Sequence, residues 1–100
     1  YVTELDVLDT SLDADAAVRD AKVAAHYGGF LRAVLEEPAV AMIGTWQLAD
    51  SRSWYRSDWY RSVTPTLPSG WQARPLPFDD ALRAKPARDA MIEAFCSRKS

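Results

Sequence analysis

Glu4 lies in the run Thr3-Glu4-Leu5-Asp6-Val7, where apolar and β-branched residues alternate with carboxylates. That pattern puts a carboxylate at the end of a short strand. A second apolar segment closes on Thr45-Trp46, and Trp54 follows eight positions later. An ionised carboxylate can serve as a nucleophile or a general base, and indole faces stack on the C–H faces of sugar rings. A carboxylate and two indoles on neighbouring strand ends are therefore suited to covalent attack on a glycoside. The competing reading makes Glu4 an ion-pair partner at a strand end.

Asp6 falls two residues on and, by alternation, on the same side as Glu4, roughly 7 Å away. The carboxyl pair of a retaining glycosidase is separated by about 5–5.5 Å. Asp6 is thus expected to support and orient its neighbours. Glu36, Glu37 and Glu93 fall on helical segments and Asp50 and Asp58 in a loop, so the second carboxyl group is expected to lie outside this chain.

Trp54-Tyr55-Arg56-Ser57 recurs as Trp59-Tyr60-Arg61-Ser62. Aromatic rings interleaved with arginine suit a sugar, and they suit single-stranded nucleic acid as well. The net charge of −2, from 12 basic and 14 acidic residues, argues against nucleic acid and against an acidic membrane surface. Packing of some of these rings into the fold is the plain alternative. His26, in mid-helix, has no second ligand one turn away. Cys96, the only cysteine, excludes an intrachain disulfide and is expected to pack as a small apolar side chain. No metal or cofactor is expected.

The elements that must position these groups follow from periodicity. Tyr1–Val7 predicts a strand. From Ala16 to Glu37 the apolar residues Val23, Tyr27, Phe30, Leu31, Val34 and Leu35 recur at helical spacing, with Asp13 as a plausible N-cap. Gly28-Gly29 within the helix implies close packing against a neighbour, and Pro38 stops it. Ala39–Trp46 is nearly all apolar, as in a strand covered on both faces. Gln47–Phe78 shows no periodicity and holds three of the four tryptophans. A connection of this length is usually functional. Lys85-Pro86 opens a last helix with proline at its first position, and Ala87, Ala90, Met91, Ala94 and Phe95 form its apolar side.

Strand, helix, strand, loop, helix is a βαβα unit with a right-handed crossover and a parallel strand pair. Two strands alone leave both edges open, and the natural completion is a (β/α)8 barrel. One hundred residues with 48% apolar composition make one small domain or part of a larger one. No apolar run reaches the length of a membrane span, and no signal peptide opens the chain. A first residue of Tyr1 suggests a processed chain or one cut from something longer.

Taken in order, these segments resemble glycoside hydrolase family 10, the (β/α)8 endo-1,4-β-xylanases. Val2-Thr3-Glu4-Leu5-Asp6-Val7 resembles the family's nucleophile strand. Thr45-Trp46-Gln47-Leu48-Ala49-Asp50 is similar to its Thr/Val-Trp-Gly-Leu/Val-Thr/Ser-Asp segment, followed by Ser53-Trp54. Pro75-Leu76-Pro77-Phe78-Asp79 and Lys85-Pro86-Ala87 resemble its closing turn and last helix start. The resemblance implies the last two βα units of the barrel, α/β in class, with Glu4 as nucleophile. It implies that Trp46 and Trp54 hold the attacked sugar, and that xylan or xylooligosaccharide is the substrate. The acid/base glutamate would belong to a fourth strand absent here, and a secreted or periplasmic location is implied. Gln47 departs from the family's glycine, Ala49 from a hydroxyl residue, and Tyr55–Arg74 is longer than the usual loop.

Two further readings stay open. The Trp-Tyr-Arg-Ser repeat and Trp71 could form a non-catalytic surface for xylan. Open strand edges could instead be satisfied by the remainder of the barrel or by self-association.

Overall fold

A computed structural model describes residues 1–9, 15–64, 67 and 70–97. Strand β1 (Val2–Leu5) pairs in parallel with β2 (Ile43–Thr45). Helix α1 (Ala16–Val34) connects them, and helix α3 (Pro86–Ser97) packs along α1. The connection after β2 carries two single 3-10 turns, Asp50–Arg52 and Trp54–Arg56, and a short helix α2 (Asp58–Val63). This connection is thus more ordered than its lack of periodicity predicts.

The core runs between α1 and α3. Val23, Tyr27, Leu31 and Leu35 of the first helix region meet Ala87 and Ala94 of α3, with Leu5, Ile43 and Met91 packed against them. Gly28 is where the helices close in. A Cβ there would stand 3.7 Å from Ala90 Cβ and 3.1 Å from an Arg32 guanidinium nitrogen. Gly29 faces open space, so the packing argument holds for the first glycine only. Phe30 and Phe95 are exposed despite their helical spacing, and so is Cys96.

Several boundaries differ from expectation. The N-cap of α1 is Asp15, whose carboxylate accepts from the Val18 amide at 3.0 Å; Asp13 lies outside the described residues. Helix α1 ends at Val34 rather than Glu37, a few residues before Pro38, which disfavours helical backbone at the residue directly before it. There the Glu37 side chain accepts from the Ala39 amide instead. Strand β2 is three residues long rather than the eight of Ala39–Trp46, and it is half-buried rather than covered on both faces. Helix α3 lies against it, and no third strand is described beside it.

Strand β1 is also shorter than Tyr1–Val7, and its alternation fails at one residue. Val2 is opposite Ile43 and Leu5 opposite Thr45, so three steps on β1 match two on β2. The extra residue is a bulge. Glu4 within it has φ of 61°, a left-handed conformation that costs a non-glycine residue on the order of 1–3 kcal/mol. The simple expectation that Glu4 and Asp6 project in parallel therefore does not hold.

Gln47, directly after Trp46, has φ of 80°. The departure from glycine noted in the sequence is thus a departure at a left-handed position, where glycine is cheap and glutamine strained. Gln47→Gly is expected to stabilise the protein by about 1 kcal/mol, read as a rise in the midpoint of urea unfolding at unchanged slope.

Candidate active site

The two strand ends are joined by the backbone. The Trp46 amide donates to the Leu5 carbonyl at 2.9 Å, which brings Trp46 beside the bulge that carries Glu4. Glu4 is exposed, and Trp46 and Trp54 are 41% and 44% exposed. All three are open to a ligand from solution.

Asp6 is fastened to the loop that carries Trp54. The Tyr55 hydroxyl donates to Asp6 Oδ1 at 3.2 Å. Burial pushes the Asp6 carboxyl above its usual range, the Tyr55 hydrogen bond pulls it part of the way back, and the charge of Asp9 adds to the rise. Burial, then the Asp6 charge and hydrogen bond, push the Tyr55 phenol up to about 12. Asp6 therefore ties β1 to the aromatic loop.

The repeated Trp-Tyr-Arg-Ser motif has a structural logic. Ser53 accepts from the Tyr55 amide and Ser57 from the Tyr60 amide, so each serine preceding a Trp-containing turn caps it. Both arginines reach the returning segment of the loop. Arg56 donates to the Ala73 carbonyl at 2.8 Å and Arg61 to the Trp71 carbonyl at 2.6 Å. Arg56 also makes a two-pronged contact with Asp80. Above this frame the rings gather: Trp54 and Trp59 centroids are 5.0 Å apart, Trp54 and Tyr60 5.6 Å, Tyr55 and Tyr60 5.0 Å.

Trp71 is not part of an exposed stacking surface, contrary to the second reading above. It is buried, and the Arg19 guanidinium covers its ring at 4.0 Å from the centroid.

What holds the returning segment 71–76 is a buried network that the sequence reading did not single out. Lys85 Nζ lies 2.8 Å from Asp50 Oδ2, 3.6 Å from Asp20 and 2.9 Å from the Arg74 carbonyl. Asp50 also accepts from the Leu76 amide, and Asp9 from the Arg74 amide. Arg74 grips both Asp20 oxygens at 2.8 and 2.7 Å. Arg19 lies 3.4 Å from Asp9 and donates to the Gln72 carbonyl. The Tyr27 hydroxyl donates to the Pro75 carbonyl. Three carboxylates and three cations balance one another, and nearly every one also binds backbone of the segment. A signal was available: Arg19 and Asp20 extend the buried stripe of Val23, Ala24 and Tyr27 by one helical turn, a place where unpaired charges are not tolerated.

Burial raises the Asp9 and Asp50 carboxyls above their usual range, against the pull of the Arg74 amide and of Lys85 respectively. Burial acts on Asp20 in the same sense, but hydrogen bonds from Arg74 and the Lys85 charge overcome it and hold Asp20 below its ordinary value of 3.8. A carboxyl lowered by folding contributes stability that is present above 3.8 and is lost as pH falls through its folded value. The Asp20 contribution to the thermal midpoint is accordingly expected to be lost in that acid window, while the raised Asp9 and Asp50 act in the opposite sense; the difference in midpoint between the parent and Asp20→Asn should therefore shrink as pH falls.

The parallel β1/β2 pair, with its crossover helix, its second helix and an ordered loop at the strand ends, defines a segment of a (β/α)8 barrel. The sequence profile of Glycosyl hydrolase family 10 matches residues 1–94, and the chain belongs to that family. Among solved structures, a thermostable mutant of a xylanase from Cellvibrio japonicus superposes with a TM-score of 0.65 at 27% identity, over 92% of this chain and 29% of that one. The catalytic core of a xylanase A gives 0.65 at 29% identity, over 92% and 29%. A point mutant of xylanase A from P. fluorescens subsp. cellulosa, in complex with xylopentaose, gives 0.60 at 27% identity, over 90% and 28%. The chain thus spans less than a third of the length of these structures. No curated protein matches it.

Proposed function

We propose that these residues are the nucleophile-bearing part of a retaining endo-1,4-β-xylanase. Glu4 attacks the anomeric carbon of a β-1,4-linked xylose unit, forming an ester bond as the bond to the leaving sugar breaks. Water then cleaves the ester and releases a product with its original configuration. Trp46 and Trp54 stack on the attacked sugar, and Asp6, held by Tyr55, supports the strand end beneath them.

The observation that carries this reading is the backbone of Glu4. A left-handed glutamate in a bulge at a strand end, exposed and beside Trp46, is strain with no evident structural return. Such strain concentrates where a side chain must be aimed. No ion pair is found at Glu4 among the described residues.

Among the described carboxylates, Asp6 is committed to Tyr55, and Asp9, Asp20 and Asp50 to the buried network. In this reading the acid/base group is supplied by another strand of the barrel, and loss of general acid catalysis costs about 10²–10⁴ in rate. The open strand edges and the apolar face formed by Ile43, Leu48, Phe78, Ile92 and Phe95 would receive the remaining barrel strands, with pairing between copies as the alternative. A secreted or periplasmic location accords with a polymeric substrate. The test is Glu4→Gln in the intact enzyme, which should abolish xylan hydrolysis and retain binding of xylooligosaccharides. Hydrolysis at the original rate would sink the proposal.

A further inference from the structure

Three consecutive side chains leave the single turn Trp54–Arg56 for three different destinations. Trp54 stays open to solution. Arg56 reaches the Ala73 carbonyl and Asp80, both on the returning side of the same connection, so it fixes the turn within the loop and not against the strands. Tyr55 alone crosses to the residues that follow β1, where its hydroxyl donates to Asp6 Oδ1 at 3.2 Å. Among the described residues no other side-chain hydrogen bond joins this turn to residues 1–9. Asp6 is two positions beyond Glu4.

The ring of Tyr55 is itself coupled to the indole beside it. Its centroid is 6.1 Å from that of Trp54 with planes at 68°, and 5.0 Å from that of Tyr60 with planes at 65°. Edge-on contacts of this kind transmit a displacement of one ring to the next. Wherever the hydroxyl of Tyr55 is held, Trp54 is held with it.

We infer that Tyr55 is a positioning residue for the proposed reaction: its hydroxyl, on Asp6, sets where Trp54 stands relative to the strand that carries Glu4. The inference rests on the function proposed above, in which Trp54 stacks on the attacked sugar. Tyr55 itself touches no sugar and acts through Trp54. Without the hydroxyl the turn keeps its Arg56 anchor and its ring contacts, but only a fraction of molecules hold Trp54 in register with Glu4. The apparent affinity for a sugar falls by that fraction.

The link depends on the charge of Asp6, because an ionised carboxylate accepts a hydrogen bond more strongly than a neutral acid. Burial places proton uptake by Asp6 above its ordinary value of 3.8. The titratable groups around it, among the described residues, are Asp9, the Tyr55 phenol, the Tyr27 phenol on α1, and His26, which lines the same groove; Glu4 precedes it on its own strand. Burial and the Asp6 charge keep the Tyr27 phenol neutral. The advantage of tyrosine over phenylalanine at position 55 is therefore present while Asp6 is ionised and narrows as pH falls through its folded value.

The test uses the intact Glu4→Gln protein, which binds without turnover and removes the titration of Glu4, with and without Tyr55→Phe. Both are titrated calorimetrically with xylohexaose from neutral pH down through the carboxylate range. Phenylalanine keeps the ring and its contacts, so the comparison isolates the hydroxyl. The expected result is an affinity about fivefold weaker for Tyr55→Phe at neutral pH, with the gap closing in acid. Adding Asp6→Asn, which cannot ionise and leaves Asp9 and His26 to titrate, should make the effect of Tyr55→Phe independent of pH. Equal affinity with tyrosine and phenylalanine at neutral pH would overturn the inference and leave the proposed function standing. A loss that stays constant with pH while Asp6 is present would also overturn it, since Tyr55 would then act by packing and not through Asp6. If the protein with Tyr55 and Asp6 intact binds no xylohexaose, the proposed function itself fails, and the inference with it.

Discussion

Glu4→Gln is expected to reduce xylan hydrolysis by the intact enzyme by a factor on the order of 10⁴ or more, as removal of a covalent nucleophile does elsewhere. Glutamine keeps the size of the side chain and removes the charge that attacks the anomeric carbon. The fold should be nearly unaffected, because Glu4 is exposed and lacks an ion-pair partner among the described residues. The strained φ of 61° sharpens the prediction. Glutamine inherits the strain, whereas Glu4→Gly relieves it and should be both inactive and more stable, by about 1 kcal/mol. A more stable, inactive variant is the signature of a residue retained for chemistry against its backbone preference. Initial rates on xylan and urea unfolding of the two variants measure both halves.

Lys85→Met is expected to destabilise the protein by about 3–5 kcal/mol. Lys85 is nearly inaccessible and is the cation that meets Asp50, itself fully buried. Its removal strands a carboxylate that can escape only by taking up a proton. It also frees the Arg74 carbonyl and loosens the segment to which Arg56 and Arg61 are tied, so sugar affinity should fall as well. The double variant Lys85→Met with Asp50→Leu removes both charges and should recover part of the loss, although the Leu76 amide then lacks its acceptor. Chemical denaturation of the single and double variants gives the coupling energy. A loss below about 1 kcal/mol for Lys85→Met would mean that the pair is solvated and holds nothing.

The legible parts of this fold are those set by periodicity and punctuation. Val23, Tyr27, Leu31 and Leu35 face the core as their spacing predicts, and Pro86 opens α3. The parallel pairing of β1 and β2 follows from the helix between them. Phe30 and Phe95 share that periodicity but remain exposed, because two helices and two strands do not cover every apolar face. The bulge at Glu4 was not legible, since only the register against Ile43 and Thr45 reveals the extra residue. The aromatic motif showed that its rings mattered and concealed that Ser53 and Ser57 are caps and its arginines tethers. The same segment hid the difference between Trp59, exposed, and Trp71, covered by Arg19. The ion network joins residues far apart in sequence, and single-chain patterning carries no such pairing.

The most direct measurement is to trap the covalent intermediate. The intact enzyme would be treated with an activated 2-deoxy-2-fluoro xylobioside, whose ester forms faster than it hydrolyses, then digested and mapped by mass spectrometry. The account predicts one added fluoro-xylobiosyl group, on the peptide that contains Glu4. The same adduct on a peptide with another carboxylate, or an active enzyme that forms none, would contradict it.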